Sequence, residues 1–152
     1  RPESVDNSVN FKKIIYAFNK ISNLYKKKII FPVHPRTEKI LKKFKKKVNK
    51  NIIITKPLEY IDFLFLMKNC RIIFTDSGGI QEESSILGIP CITTRTSTER
   101  QITVKSKVNI MTGYDQKKII AAVRRFYDIK IKKLNLFGDG RVAEKIYKFL
   151  KK

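Results

Sequence analysis

Arg71-Ile72-Ile73-Phe74-Thr75-Asp76-Ser77-Gly78-Gly79-Ile80-Gln81-Glu82-Glu83 runs from a short apolar segment through paired glycines into a segment of helical character. Arg71 to Thr75 reads as a strand, and Ser77 begins a helix that Gly88 ends, with Pro90 just beyond. Ile89 to Thr93 is a strand again. After a polar loop, Val108 to Met111 forms a further strand, and Asp115 caps a helix with Ile119, Ile120, Val123 and Phe126 inward. Asp139 to Leu150 is the last helix. Between these two helices, Ile129 to Asn135 is a Lys-rich connector and the weakest-packed stretch of the chain.

The same alternation extends upstream. Phe11, Ile14, Ile15, Phe18, Ile21 and Tyr25 follow helical spacing, with Asn7 or Ser8 as cap. Ile29 to Phe31 is a buried strand closed by Pro32 and Pro35. Thr37 opens a second helix with Ile40, Leu41, Phe44 and Val48 on one face, and Asn51 to Thr55 is the next strand. Pro57 suits the first turn of a third helix carrying Ile61, Leu64 and Phe65. Apolar strands separated by amphipathic helices imply a parallel sheet covered on both faces, joined by right-handed crossovers. The expected fold is α/β, a three-layer Rossmann-like domain occupying residues 1–152.

Composition narrows the function classes. The 152 residues are 42% hydrophobic and 11% aromatic, which fits one folded domain and not a disordered chain. No apolar run approaches a membrane span. Cys70 and Cys91 lie too far apart for a CxxC motif and read as buried free thiols, which points to a reducing, cytoplasmic setting. One histidine and no acidic cluster leave no expected metal site, and no cofactor is expected. The net charge of +21 would suit nucleic acid. Its lysines, however, fall between apolar helical positions (Lys12, Lys13, Lys20, Lys26 to Lys28, Lys42, Lys43, Lys45 to Lys47), as on a solvated face. No aromatic stripe accompanies them to stack bases.

Open parallel sheets bind ligands at the carboxyl ends of their strands. At Asp76-Ser77-Gly78-Gly79, a strand end meets a helix start, where free amides and the helix dipole favour an anion and two glycines leave a phosphate room to approach. An ordinary tight turn with Ser77 as N-cap has the same sequence. Of Glu82 and Glu83, at least one must be occupied away from a phosphate, and a carboxylate suits the vicinal hydroxyls of a ribose; good helix-start electrostatics is the alternative. Arg95 and Arg100, in the hydroxyl-rich loop after Thr93, could clamp phosphate oxygens. His34, between Pro32 and Pro35, is either structural or ligand-side.

Thr75 to Glu83, followed by Ser84, Leu87, Gly88 and Pro90, resembles the signature of the non-hydrolysing UDP-N-acetylglucosamine 2-epimerases. Arg1-Pro2-Glu3 resembles the tail of that family's His-Arg-x-Glu-Asn motif, and Phe31 to Arg36 its Pro-Val-His-Pro segment. Pro57 to Phe63 resembles its uracil-side helix, Thr98-Glu99-Arg100 its Thr-Glu-Arg loop, and Phe137 to Gly140 its C-terminal motif. The chain departs at Ser4, where the family commonly has Asn, at Gln101, where Pro is usual, and at Lys107, where Gly is expected.

The resemblance implies the C-terminal half of a glycosyltransferase-B type fold, whose partner N-terminal domain carries the catalytic carboxylates. It also implies a homodimer of the full-length parent in polysaccharide biosynthesis, while the short apolar runs give no membrane partner and the placement of the lysines argues against nucleic acid. Ser77, Gly78 and Gly79 would hold the phosphates of a UDP-sugar, Glu83 the ribose and Phe63 the uracil, with Arg100 and His34 as further ligand-side residues. The implied reaction interconverts UDP-GlcNAc and UDP-ManNAc by elimination and re-addition of UDP, with this half expected to be inactive alone. A glycosyltransferase of the same architecture, or a basic nucleic-acid-binding domain, are the competing expectations.

Overall fold

The computed structural model describes residues 7–44 and 48–151. Arg1-Pro2-Glu3, Ser4 and Lys45 to Lys47 lie outside them. In chain order the elements are α1 (Ser8–Tyr25), β1 (Ile29–Pro32), α2 (Pro35–Phe44), β2 (Ile52–Thr55), α3 (Tyr60–Asn69) and β3 (Ile73–Thr75). There follow α4 (Gly78–Leu87), β4 (Cys91–Thr93), α5 (Gln101–Lys105), β5 (Asn109–Met111), α6 (Gln116–Phe126) and α7 (Val142–Leu150). The strand pairs β1–β2, β3–β4 and β4–β5 are all parallel. The α/β class expected from the alternation is what forms.

The helical periodicity read upstream has a direct structural result. Asn7 Oδ1 accepts the amides of Val9 and Asn10 at 3.0 and 3.1 Å, capping α1. The apolar stripe of α1 then buries Ile14, Ala17, Phe18 and Ile21 against Ile119, Ile120, Val123 and Phe126 of α6 and Ile92 of β4. Phe11 and Ile15 pack instead on Val33 and Leu41. At about 1.5–3 kcal/mol for each large apolar side chain taken from water, this helix layer is the main source of hydrophobic stabilisation. The outward lysines Lys12, Lys13, Lys20, Lys26 to Lys28 and Lys42 are exposed, as a solvated face requires.

Four expectations need correction. The second helix starts at Pro35, two residues before Thr37, because Pro at a helix start loses no hydrogen bond. The third helix begins at Tyr60, so Pro57 precedes it, and its buried residue is Met67 while Ile61 and Phe65 stand exposed. Apolar residues occur on every side of α3, so periodicity could not choose its inner face. The loop after Thr93 contains α5, and the last helix begins at Val142, not Asp139.

The hydrogen-bonded strands form two parallel sheets, β1–β2 and β3–β4–β5, and their coverage is uneven. β4 is buried throughout, whereas Ile30, Ile53 and Ile54 of the β1–β2 pair are exposed. The β1 and β3 strands face each other across a cleft of about 670 Å³, lined also by Phe18, Phe63 and Met67. β2 and β4 lie outward of them, so strands are added in opposite directions from the cleft.

Gly88 ends α4 with φ +72°, and a Cβ there would meet the Ile131 carbonyl oxygen at 2.9 Å. The connector is thus anchored on α4, and the Leu134 amide donates to the Ser85 carbonyl at 2.9 Å. Gly88→Ala should destabilise the chain by about 1–2 kcal/mol from backbone conformation alone, with more from the contact. Urea unfolding measures this, and an unchanged midpoint would contradict it.

Both cysteines are free thiols, Cys91 buried and Cys70 partly so. Burial pushes their pKa values up, Cys91 to about 12 and Cys70 to about 11. A thiol kept protonated by the fold favours the folded state below its unfolded pKa, and that advantage is lost as pH rises toward the folded value. At pH 8 Cys91 should therefore resist iodoacetamide until urea is added. Mass spectrometry of the alkylated native chain is the check.

Candidate functional site

Thr75 and Thr93 are register partners at the carboxyl ends of β3 and β4, so the turn at Asp76 and the loop at Thr94 leave the sheet at one level. Ser77 is the N-cap of α4 in extended conformation, and its amide donates to Thr75 Oγ1 at 2.9 Å. Its hydroxyl makes no capping bond. The first helical amide turned inward in the usual pattern is that of Gln81, bonded to the Ser77 carbonyl at 3.4 Å. Among the described residues, the amides of Gly78, Gly79 and Ile80 have no acceptor. An uncapped helix start of this kind attracts an anion.

The glycines match that role in different ways. Gly79 is exposed, and a Cβ added there would meet only Ser77 Oγ, at 3.9 Å. The folded chain alone does not require glycine at that position. Gly78 is buried beneath Arg100, whose Cζ would lie 3.8 Å from an added Cβ. The guanidinium therefore stands over the first residue of α4, with Nε donating to Glu82 Oε1. Glu82 is thereby occupied by a cation. Glu83, one residue on, is half-buried, and among the described residues its carboxylate has no hydrogen bond or ion pair.

Arg95 has a different place from the one its sequence position suggested. It is buried and grips Glu99 through two bonds of 3.2 Å, shaping the loop from within. Phe63 is half-buried and lines the cleft with Pro32, Thr75, Asp76 and Ile80, so the cleft reaches the start of α4. His34 stands exposed after β1, its Nδ1 accepting the Arg36 amide at 3.3 Å, and it makes no hydrogen bond to the α4 turn. The structure thus brings Ser77, Gly78, Gly79, Glu83 and Arg100 together, with Phe63 along the adjoining cleft.

Sequence reading did not find the support behind this group. Gln81 is fully buried, and its Oε1 accepts from Thr98 Oγ1 at 2.7 Å and Asn109 Nδ2 at 3.1 Å. Its Nε2 donates to the Ser77 carbonyl at 3.2 Å. Asn109 Oδ1 accepts from Thr93 Oγ1 at 2.8 Å, and Asn109 Nδ2 also donates to Thr103 Oγ1 at 3.1 Å. One signal was available: Asn109 is an amide inside the apolar run Val108 to Met111, and a buried polar group needs partners.

Among the described residues, no cluster of three or more His, Cys, Asp or Glu could hold a metal ion. No helix among them is long and apolar enough to cross a membrane.

The model of one protein family, described as UDP-N-acetylglucosamine 2-epimerase, matches residues 1–151. The chain belongs to that family. The UDP-N-acetylglucosamine 2-epimerase of Methanocaldococcus jannaschii is 46% identical, the match covering 99% of this chain and 42% of that protein. That of Methanococcus maripaludis is 43% identical, covering 92% and 39%. The chain thus spans roughly two-fifths of the length of these relatives.

A solved structure of the M. jannaschii UDP-GlcNAc 2-epimerase in complex with UDP-GlcNAc and UDP superposes with a TM-score of 0.91 at 45% identity, covering 99% of this chain and 43% of that one. The enzyme from Neisseria meningitidis, bound to UDP-GlcNAc, gives 0.81 at 28% identity, covering 92% and 40%. The Rossmann-like architecture of the glycosyltransferase-B type is the one the epimerase family uses.

Two departures from the family pattern now have a structural reading. Gln101 is the first residue of α5, the helical position where Pro is most at home. Its side chain instead donates to the Thr98 carbonyl at 2.9 Å. Lys107, where the family has Gly, adopts φ 60° just past that helix. Relief of this left-handed conformation in Lys107→Gly should stabilise the chain by about 1 kcal/mol. Thermal unfolding tests it, and a lowered midpoint would show that the lysine contributes more than its backbone costs.

Proposed function

We propose that this chain is the UDP-binding part of an enzyme that interconverts UDP-GlcNAc and UDP-ManNAc by eliminating UDP and adding it back. The observation that carries the reading is the start of α4: an arginine over Gly78 and, among the described residues, three open amides and an unpaired glutamate one turn on. A nucleoside diphosphate presents the complementary groups in the same order, charged oxygens and then vicinal ribose hydroxyls. The relatedness to a protein solved with UDP-GlcNAc and UDP supports the same assignment.

On this reading the amides of Gly78 and Gly79 and the hydroxyl of Ser77 take the phosphates, while the Arg100 guanidinium neutralises their charge. Glu83 accepts from the ribose hydroxyls, and Phe63 lies against the uracil. His34 is a further ligand-side residue, contributed from the end of β1. Elimination breaks the sugar C1–oxygen bond as a proton leaves C2, and the electron pair departs with UDP. Anion-binding groups at the diphosphate stabilise that leaving group and retain it until the proton has returned to C2 on the opposite face. The acid and base belong to the remainder of the full-length protein, which we assign as a cytoplasmic homodimer serving polysaccharide biosynthesis. The isolated chain binds UDP without turnover.

Calorimetric titration of UDP into the chain, compared with Ser77→Ala, Gly79→Val and Glu83→Ala, tests the site. Glu83→Ala should weaken binding by about tenfold or more, the worth of hydrogen bonds to a charged acceptor. Gly79→Val should abolish binding while leaving the fold intact, since its Cβ has room. Substitutions that leave affinity unchanged would refute the site. Epimerisation by the full-length protein without any acceptor is the matching activity test, and a requirement for an acceptor would favour a glycosyltransferase instead.

A further inference from the structure

We infer that Gln81 is a positioning residue for the diphosphate subsite, its buried amide fixing the backbone that aims Arg100 over the open end of α4. The inference rests on reading that turn as a diphosphate site and adds the device that sets its arginine.

Arg100 is far from Gly78 along the chain, so their juxtaposition depends on noncovalent links. Those links converge on the backbone of Arg100. Its amide donates to Thr98 Oγ1 at 3.0 Å, and its carbonyl accepts from Thr103 Oγ1 at 2.7 Å. Both hydroxyls belong to the network around Gln81. Thr98 Oγ1 donates to the Gln81 carboxamide, and Thr103 Oγ1 accepts from Asn109, which also donates to that carboxamide. The other end of the carboxamide holds the Ser77 carbonyl, inside the phosphate turn itself. Gln81 therefore spans from the turn to the loop, and Glu82, its neighbour, then fixes the guanidinium.

A leucine or methionine could fill the same interior space without the desolvation cost of a primary amide. What an apolar side chain cannot do is impose direction. A fully satisfied polar network has one low-energy arrangement, and a loop attached to it inherits that arrangement. Gln81, Thr98, Thr103 and Asn109 are each buried, so water does not substitute freely for a lost partner. The arrangement orders Arg100 before the ligand arrives, which lowers the cost of binding.

The test uses NMR titrations of the 152-residue chain with UDP and with uridine, which lacks the diphosphate. Gln81→Met and Thr98→Val should weaken UDP binding by about tenfold while leaving uridine affinity within about twofold. Thr98→Ser, which keeps the hydroxyl, should bind UDP like the parent chain. In an Arg100→Ala background, Gln81→Met should cause no further loss, because both changes remove one effect. Equal losses for UDP and uridine, losses that multiply with Arg100→Ala, or a Gln81→Met chain that binds UDP normally would each overturn the role. Should Gln81→Met fail to fold, the Thr98 pair decides by the same criteria. A parent chain with no affinity for UDP would sink the diphosphate reading and this role together; a parent that binds UDP, with insensitive variants, would sink this role alone.

Discussion

A helix that starts at a strand end leaves its first amide protons without partners, and a chain must cap them, solvate them or give them a ligand. At α4 the usual cap is declined: Ser77 occupies the capping position without using its hydroxyl there, and the following residues have no side chains to obstruct approach. The surroundings then answer to the requirements of an anion. Arg100 supplies positive charge, and Glu82, which would otherwise repel a phosphate, is consumed by that arginine. The arrangement separates the two adjacent carboxylates: Glu82 is neutralised by Arg100, and Glu83 makes no ion pair among the described residues.

Rigidity at this point comes from polar groups more than from apolar packing. The main hydrophobic cluster lies between α1, α6 and the sheet. On the α4 side the interior contains Gln81, Ser84, Ser85, Thr93, Thr103 and Asn109, all buried. Ser84 and Ser85 return their hydroxyls to carbonyls of their own helix, and the remainder bond across elements. A domain with its stability concentrated in one layer can use the opposite layer for geometry. Residues that would weaken an ordinary core are acceptable there because each finds a partner.

Much of this was legible in the residues. Strand and helix alternation, the Asn7 and Asp115 caps, the Gly88 terminus and the inner faces of α1 and α6 follow from local patterns that tertiary contacts reinforce. The strand-to-helix turn at Ser77 was legible because strand end, glycines and helix start are consecutive. Patterns failed where neighbouring information is insufficient. The apolar residues of α3 surround the whole helix, so its orientation depends on what the rest of the fold covers. Arg95 and Arg100 share one loop and one chemistry, yet the first turns inward to Glu99 and the second outward over Gly78. The side-chain amides joining Gln81 and Asn109 are remote in sequence, and no local rule pairs them.

β3 contains only Ile73, Phe74 and Thr75, and it leads straight into Asp76. Such a short strand has no slack with which to absorb an insertion or deletion. Dropping a single residue would exchange its inward and outward side chains and rotate everything downstream by half a turn about the strand axis. The amide cluster would then point into the opposite layer. A change of chain length at the opposite end of β3, before Ile73, would leave that cluster's aim to the strand, whereas one after Thr75 acts on it directly.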